Sequence, residues 1–391
     1  MTDNGSSFRS LAEDCRLDRA FNELNTKDGR GGSRDGLRCR GLSLPDPSRV
    51  RQGMIDLFSD THTLPSDDMR RAMAEAELGD EQMGEDPTTN RLEETVADML
   101  GMDAAMFMPT GSMCNKVAVS TLTKPGDALV CDNLAHVFRF EGGGSAVLSG
   151  IVFEPLATPK GIFTPDQLEA VMKPGSVYEP RTSLVSIEQT HNFGGGVVWS
   201  LDEYEAVCAT ARRHGASIFT DGARLLNAVA ATGVAASAWG APVDALWIDF
   251  SKGVGAPGGA AIAGSDQFIT GAKRFKYLYG GAMRQSGVLA AAALFGLEHN
   301  VPRMVDDQAH ARSLADGFAA IGFDVAEPES NMVFCEPPPA LSTQGFIDGM
   351  ATEGVRVGAV AGRIRMVTHV DVSADDIDSS IAAAARVVSD A

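Results

Sequence analysis

Short apolar runs alternate with amphipathic stretches from about residue 51 onward. Five runs have the residue types of buried strands: 104–109, 127–132, 182–189, 216–222 and 244–251. Helical periodicity lies between them, over 90–101, 200–215 and 222–233. Strand–helix–strand alternation of this kind predicts an α/β fold with a mostly parallel, doubly wound sheet.

The pattern changes near residue 297, which predicts a second and smaller domain. Residues 288–322 have the periodicity of two helices interrupted near Pro302, and shorter elements and a closing helix follow. This mixture is typical of a small α+β unit. We therefore predict a large α/β domain over 51–296 and a small C-terminal α+β domain over 297–391.

The first 50 residues differ from the rest of the chain. They are rich in Gly, Arg and Asp, and no periodicity persists in them. We expect residues 1–50 to form a mobile N-terminal extension, and a partner-binding role for it stays open. The chain also begins without the basic start and apolar core of a secretory signal.

Charge and cysteine usage narrow the class of protein. The formal net charge of −19 repels phosphate backbones and anionic lipid, so we expect no nucleic acid and no membrane as partners. No run reaches the ~18 apolar residues of a membrane helix. The six cysteines lack CxxC spacing, and we see no metal-ligand cluster. These features favour free thiols in a cytoplasmic protein without a metal.

Candidate chemistry follows three of the predicted strands, where ligands collect in open α/β sheets. Gly111, Ser112 and Met113 open a helix whose free N–H groups suit a phosphate, although an ordinary N-cap explains them equally well. Asp221 follows the strand 216–220, with Arg224 three residues later. This carboxylate is open to a second interpretation, as a helix cap or a structural ion pair.

The third position is Lys252, in "IDFSKGVGAPGG". A lysine seldom ends a buried strand for packing reasons, because removing an ammonium group from water is costly. A lysine there favours a nucleophilic role, and the flanking glycines allow close approach of another group. Lysine, carboxylate and phosphate turn together predict pyridoxal 5′-phosphate (PLP), which needs an amine, an acid at its ring nitrogen and a phosphate cradle.

Ten stretches in order make the comparison with one family specific, among them "SDT", "PTGSMCN", "EQTHN", "DGAR", "SKGVGAP" and "GGAMRQSG". On these residues, from about 54 to 388, the chain resembles the threonine aldolase family of fold-type-I PLP enzymes. That group also contains β-eliminating lyases and some alanine racemases. The resemblance implies a seven-stranded, mostly parallel sheet in the large domain. It also implies a homo-oligomer, dimer or tetramer, with active sites at the subunit interface.

The resemblance also implies residue roles. Lys252 is expected to form the Schiff base and Asp221 to pair with the ring nitrogen, while His136 and His191 lie near the substrate hydroxyl. The implied cofactor-binding residues are Gly111, Ser112, Met113, His136, Asp221, Arg224, Lys252 and Arg284. Ser59, Arg224 and Arg365 match positions that hold the substrate carboxylate, and we add His62 as a substrate-binding candidate near the entrance.

The expected reaction is cleavage of the Cα–Cβ bond of L-threonine, L-allo-threonine or related β-hydroxy-α-amino acids to glycine and an aldehyde. Racemisation, β-elimination and transaldol transfer on the same scaffold are alternatives, and a non-catalytic binding protein is a more distant one. Phe58, His62, Leu64 and Met83 replace residues that are common in the family. These replacements indicate either a bulkier, more apolar substrate or neutral drift at the pocket rim.

Overall fold

The structure is a computed structural model that describes residues 53–390. The predictions made for residues 1–50 lie outside the described residues. The strands are β1 Ile55–Asp56, β2 Ala104–Met108, β3 Ala128–Asp132, β4 Val152–Leu156, β5 Thr182–Glu188, β6 Ser217–Gly222, β7 Ala245–Asp249, β8 Ala260–Gly264, β9 Asp324–Val325, β10 Met332–Glu336, β11 Val355–Arg356, β12 Gly358–Val360 and β13 Arg363–Val367.

Fourteen α-helices lie in the described part of the chain. They are α1 Asp67–Ala74, α2 Pro87–Leu100, α3 Gly111–Leu122, α4 His136–Arg139, α5 Gly144–Ser149, α6 Pro165–Glu169, α7 Leu201–Arg213, α8 Leu225–Thr232, α9 Ala236–Gly240, α10 Asp266–Leu278, α11 Gly287–His299, α12 Met304–Ala320, α13 Thr343–Thr352 and α14 Ala374–Ser389. None of these helices has the length and apolar character needed to cross a membrane.

Seven strands form the main sheet, in the order β2-β8-β7-β6-β5-β3-β4. Neighbours from β4 to β7 are parallel, and only β8 runs against its neighbours β2 and β7. Strands β3, β5, β7 and β8 are buried along their whole length. Their continuous burial follows from helices covering both faces of the sheet. The predicted mostly parallel α/β sheet is confirmed.

The sheet brings three predicted positions to one edge. β2 leads into α3 at Gly111, β6 ends at Asp221 and Gly222, and β7 ends three residues before Lys252. Thr110 caps α3, because its side chain accepts the N–H of Met113. Since the carboxyl ends of these strands lie at the same edge, the three segments face a common space.

The C-terminal part contains a four-stranded antiparallel sheet, in the order β12-β13-β10-β9. Helices α12, α13 and α14 pack on it around a core that includes Phe318, Phe346 and Met350. The predicted helix break is present, because a short 3₁₀ turn at Val301–Arg303 separates α11 from α12. Pro302 lies in this turn, where its missing N–H costs little. The α+β character of this part agrees with the predicted fold class.

Candidate active site

A cavity of about 630 Å³ lies at the carboxyl ends of β2, β6 and β7. It gathers residues that are far apart in the sequence. Eight of the predicted site residues line it: Ser59, Gly111, Ser112, His136, Asp221, Arg224, Lys252 and Arg365. The geometry of each group decides what this cavity can bind.

Lys252 reaches the cavity from the turn after β7. Its Nζ lies 3.1 Å from Oδ2 of Asp249, the last residue of that strand. The other carboxylate oxygen of Asp249 accepts hydrogen bonds from the backbone N–H and the hydroxyl of Ser251, both at 2.7 Å. Gly255 has a φ of +79°, and its N–H donates to the Lys252 carbonyl at 2.8 Å. The glycine-rich segment therefore forms a tight turn that holds the amine toward the cavity.

Asp221 is a buried carboxylate that faces the same cavity. It accepts hydrogen bonds from Nδ2 of Asn115 at 2.8 Å and from the backbone N–H of Ala223 at 3.1 Å. Burial and the neighbouring charge of Glu188 raise the pKa of Asp221 to about 6, although His136, Asn115 and the lysine act in the opposite direction. A cationic ring nitrogen placed here would stabilise the ionised carboxylate of Asp221, so the residue suits the pyridine end of PLP.

His136 is held by two glutamates that sequence reasoning did not single out. Its Nδ1 lies 3.1 Å from Oε1 of Glu141, and its backbone N–H donates to Glu188 at 2.8 Å. The side chain of Glu141 is fully buried and also pairs with Lys116 at 3.2 Å. Burial lowers the pKa of His136, but Glu141, Asp221 and Glu188 outweigh it and the net shift is upward. The nearest sequence signal was "FEGGG", whose glutamate follows the histidine by five residues.

The first turn of α3 offers an anion site. The N–H groups of Gly111 and Ser112 have no acceptor among residues 53–390. A Cβ atom at Gly111 would collide with the indole ring of Trp247, so glycine is required at this position. Free N–H groups at the positive end of a helix suit the phosphate of PLP. The residues present therefore fit the cofactor at its amine, ring-nitrogen and phosphate ends.

Arg224 and Arg365 occupy different electrostatic environments. Arg224 donates from Nε and Nη2 to the two carboxylate oxygens of Asp60, both at 2.7 Å. Arg365 donates only to neutral oxygens, those of Asn192 and of the Phe58 carbonyl, both at 3.2 Å. Burial and the neighbouring Arg224 lower the pKa of Arg365 to about 10. Of these two arginines, Arg365 is therefore the one with no carboxylate partner among residues 53–390.

Four predicted residues do not line this cavity: Met113, Arg284, His191 and His62. Met113 lies against Gly281, and only its backbone belongs to the anion-binding turn. Arg284 is 60% exposed and pairs with Asp80 at 2.7 Å. His191 is 1% exposed: its Nδ1 accepts the N–H of Gly194, and its Nε2 lies 3.3 Å from Asp132.

His62 lies in another cavity, of about 790 Å³. Its Nδ1 lies 2.9 Å from Asp56, and its ring stacks on Phe58 at a centroid distance of 5.1 Å. Arg356 covers the Phe58 ring. The structure thus separates His62 from Lys252, because local partners hold its ring. Leu64 and Met83 are exposed and do not line the Lys252 cavity either.

Comparison with known proteins agrees with this site. The sequence pattern of the beta-eliminating lyase family matches residues 56–337. The chain belongs to this family. It is 36% identical over 333 residues to low-specificity L-threonine aldolase 1 of Arabidopsis thaliana, which covers 83% of this chain and 93% of that protein. It is 36% identical over 325 residues to the low specificity L-threonine aldolase of Escherichia coli (strain K12), covering 83% and 96%.

Solved structures agree with the fold. The Leishmania major threonine aldolase has a TM-score of 0.75 at 20% identity, covering 85% of this chain and 99% of that one. A serine palmitoyltransferase of S. paucimobilis with a bound PLP–myriocin aldimine has a TM-score of 0.69 at 18% identity, covering 85% and 87%. The solved structures confirm the predicted fold-type-I architecture. The family match and the 36% identical relatives confirm the predicted family, its PLP cofactor and the class of PLP-dependent aldehyde-lyase.

Proposed function

We propose that this chain cleaves the Cα–Cβ bond of L-threonine, L-allo-threonine or related β-hydroxy-α-amino acids, releasing glycine and an aldehyde. The observation that carries this proposal is the shared cavity of Lys252, Asp221, His136 and Arg365. The two relatives, matched over 93% and 96% of their length, are named as low-specificity L-threonine aldolases, which supports a broad range of β-substituents.

Three parts of the cavity would hold PLP. Lys252 would supply the amine that bonds to the cofactor aldehyde, Asp221 would hold the ring nitrogen as a cation, and the N–H groups of Gly111 and Ser112 would bind the phosphate. Bound there, PLP supplies an electron sink for the electron pair left on the substrate α-carbon. We further propose that Asp249 receives the ammonium group of Lys252 whenever the lysine is released, since their charged atoms lie 3.1 Å apart.

Arg365 would bind the substrate carboxylate. Its guanidinium has no carboxylate partner among the described residues, and two parallel N–H bonds would fix the torsion about the α-carbon. This torsion selects the bond that breaks, so holding the carboxylate favours Cα–Cβ cleavage over loss of the α-proton. Ser59 lies beside it on the cavity wall, and Arg224 would act indirectly by holding Asp60.

His136 would accept the proton of the β-hydroxyl group as the bond breaks. Its ring lines the cavity, and Glu141 holds Nδ1, which leaves Nε2 as the nitrogen available for proton transfer. The buried His191 would instead support the wall through Asp132. The two histidines would thus have different roles.

We also propose a homo-oligomer in which subunits meet near the cavity mouth. Leu64 and Met83 are large apolar side chains with exposures of 63% and 69%, and a subunit contact would remove them from water. Arg284 would reach a neighbouring subunit's cavity, because in its own subunit it lies outside. The four cysteines of the described part, Cys114, Cys131, Cys208 and Cys335, are buried free thiols, in keeping with a proposed cytoplasmic location.

The deciding experiment incubates the purified PLP-loaded protein with L-threonine and measures acetaldehyde and glycine. Equal amounts of both products are expected, and phenylserine should release benzaldehyde if the substrate range is broad. In parallel, ²H₂O exchange at the α-carbon of alanine tests for racemisation. Exchange without aldehyde release would replace the aldolase proposal by a racemase, and ammonia release without glycine would replace it by β-elimination.

A further inference from the structure

Trp247 is the tryptophan whose buried indole N–H has an acceptor. It lies in β7, directly beside Asp221 of β6 in the strand register, and is 2% exposed. Its Nε1 donates to Oδ1 of Asn115 at 2.8 Å. The indole N–H groups of Trp199 and Trp239, the other two tryptophans of the chain, are buried without a partner among the described residues. Trp247 therefore differs from the other two tryptophans, because its side chain makes a buried hydrogen bond as well as packing contacts.

An indole group can only donate, and this fixes the orientation of the Asn115 amide. With its oxygen held by Trp247, the amide nitrogen must face the opposite way. There Nδ2 donates to Oδ2 of Asp221 at 2.8 Å and to Oε1 of Glu141 at 2.7 Å. A reversed amide would place its oxygen against two carboxylates and its N–H groups against the indole N–H. In this fully buried site such a reversal is strongly unfavourable.

We propose that Trp247 is a positioning residue: its N–H locks Asn115 so that one amide bridges the acid at the cofactor ring, Asp221, and the carboxylate that holds His136. The inference rests on the function proposed above, because that function assigns Asp221 to the cofactor ring nitrogen and His136 to proton transfer. Trp247 also lines the cavity, with its indole against Gly111 and its ring centroid 5.8 Å from Lys252 Nζ, but the role proposed here is carried by its N–H alone. It acts through Asn115 on the two groups that handle charge in the cavity.

The predicted consequence is a change in pH dependence. A hydrogen bond donated to a carboxylate favours its ionised form, so losing the Asn115 bond makes Asp221 hold its proton to a higher pH. Neutral Asp221 does not stabilise a cationic ring nitrogen. The charged groups that face Asp221 from the surrounding elements stay in place in the test: Glu188, His136, Lys252, Glu141, Asp249 and His191. PLP affinity should fall as pH is lowered, and this acid limb of its pH profile should move to higher pH when Trp247 loses its N–H.

The test compares Trp247→Phe with Trp239→Phe, a buried tryptophan whose N–H is unpartnered in the described chain, by equilibrium dialysis of PLP against the apo protein. For Trp247→Phe, PLP affinity should fall about three- to tenfold near pH 6 and less than about twofold near pH 8. Trp239→Phe should weaken binding equally at both pH values, if at all. Replacing Trp247 by β-(3-benzothienyl)alanine keeps the ring shape without the N–H, and it should reproduce the shift even if the phenylalanine variant folds poorly.

A double-mutant cycle identifies the route. In an Asn115→Leu background, Trp247→Phe should change the acid limb by less than about twofold, because the amide that it orients is gone. The inference would be overturned if Trp247→Phe weakened PLP binding equally at all pH values. It would also be overturned if Trp247→Phe had its full effect on PLP affinity in the Asn115→Leu background. Failure of the proposed function has a different signature: Lys252→Ala and Asp221→Asn would then leave PLP capture and its pH dependence unchanged.

Discussion

Arg224 and Asp60 form a doubly hydrogen-bonded ion pair that is buried beneath the candidate site, with both bonds at 2.7 Å. Burial opposes ionisation of Asp60, but Arg224 outweighs it and holds the pKa of Asp60 well below its usual range. The pair holds the Arg224 side chain in the wall of the Lys252 cavity. It also leaves Arg365 as the arginine that lines the cavity without a carboxylate partner in the described chain.

We expect Arg365→Gln to raise KM for L-threonine about ten- to a hundredfold, since a charge-assisted bond contributes roughly 1.5–3 kcal/mol. PLP affinity should stay within about twofold, because Arg365 is assigned to the substrate. Steady-state kinetics and PLP dialysis measure the two quantities. Arg363→Gln is the matched control: it lies on the same strand, pairs with Glu336 at 3.8 Å, and does not line the cavity. An unchanged KM in Arg365→Gln would refute the carboxylate assignment.

Removing the partner of Arg224 should destabilise the protein. Asp60→Asn leaves a buried guanidinium without its counter-charge, which costs about 3–5 kcal/mol in the free energy of unfolding. Urea denaturation of the PLP-free protein measures this loss. Asp67→Asn breaks an exposed pair with Arg70, 3.6 Å apart, and should cost less than about 0.5 kcal/mol. Equal effects of the two changes would mean that the buried pair contributes little.

The sequence located the parts of the site that depend on local structure. Lys252, Asp221 and the Gly111–Ser112 turn lie at or just after the end of a strand, and a strand followed by a turn leaves a local apolar pattern. Two strands of the main sheet were not predicted, and the reasons are local. β8 consists of "AAIAG", whose small residues have weak strand preference, and β4 contains Pro155, which is tolerated at this edge of the sheet.

The remaining features depend on long-range contacts. Asp60 and Arg224 are 164 residues apart, and Asn115 and Asp221 are 106 apart, so no local pattern reveals either pair. The expectation for His62 rests on the family resemblance, in which this block lies near the substrate entrance. A short 3₁₀ turn at Asp60–His62 instead directs the His62 ring toward Asp56 and away from the cavity. Side-chain direction in such a turn is decided by tertiary partners.

The raised pKa of Asp221 predicts how folding depends on pH in the PLP-free protein. The pKa rises from 3.8 to about 6 on folding, so the folded chain binds this proton more tightly than the unfolded chain. The resulting stabilisation is present below about pH 4 and is lost as pH rises through about 6. As pH rises from about 4 to above 6, the free energy of unfolding of Asp221→Asn should therefore increase by about 3 kcal/mol relative to that of the wild type, because asparagine has no charge to bury.

Urea unfolding at about pH 4 and pH 8 measures this relative gain. Asp266→Asn, the control, changes an exposed carboxylate of α10. Its free energy of unfolding should change between the two pH values as much as that of the wild type does. A constant stability difference between Asp221→Asn and the wild type would show that Asp221 ionises as easily in the folded chain as in the unfolded one.

His136 and His191 should respond differently to the same substitution. His136→Asn removes the group assigned to proton transfer and should lower kcat by about 10²–10⁴-fold with little change in stability. His191→Asn disrupts a buried contact with Asp132 and should mainly lower the unfolding free energy, by about 1–3 kcal/mol. Steady-state kinetics and urea unfolding of each variant separate the two roles. The opposite distribution of effects would make His191 the proton acceptor.

The position of Arg284 predicts complementation between subunits. Arg284 lies outside its own cavity, is 60% exposed and pairs with Asp80, so we expect it to serve a neighbouring subunit's site. Lys252→Ala and Arg284→Gln should each be inactive or nearly so as homo-oligomers. Dissociating and reassembling the two together should restore up to about one quarter of the wild-type activity in a dimer. That is because half of the chains are in mixed pairs, and each mixed pair has one intact site.

Light scattering establishes the oligomeric state before the mixing experiment, and each variant dissociated and reassembled alone is its control. Arg274→Gln, a change in α10 away from the cavity lining, should be active before and after the same treatment. Recovery of activity only in the mixture requires that Lys252 and Arg284 of one working site come from different chains. A monomer in solution, or a mixture that stays inactive while Arg274→Gln survives reassembly, would place Arg284 outside the shared site.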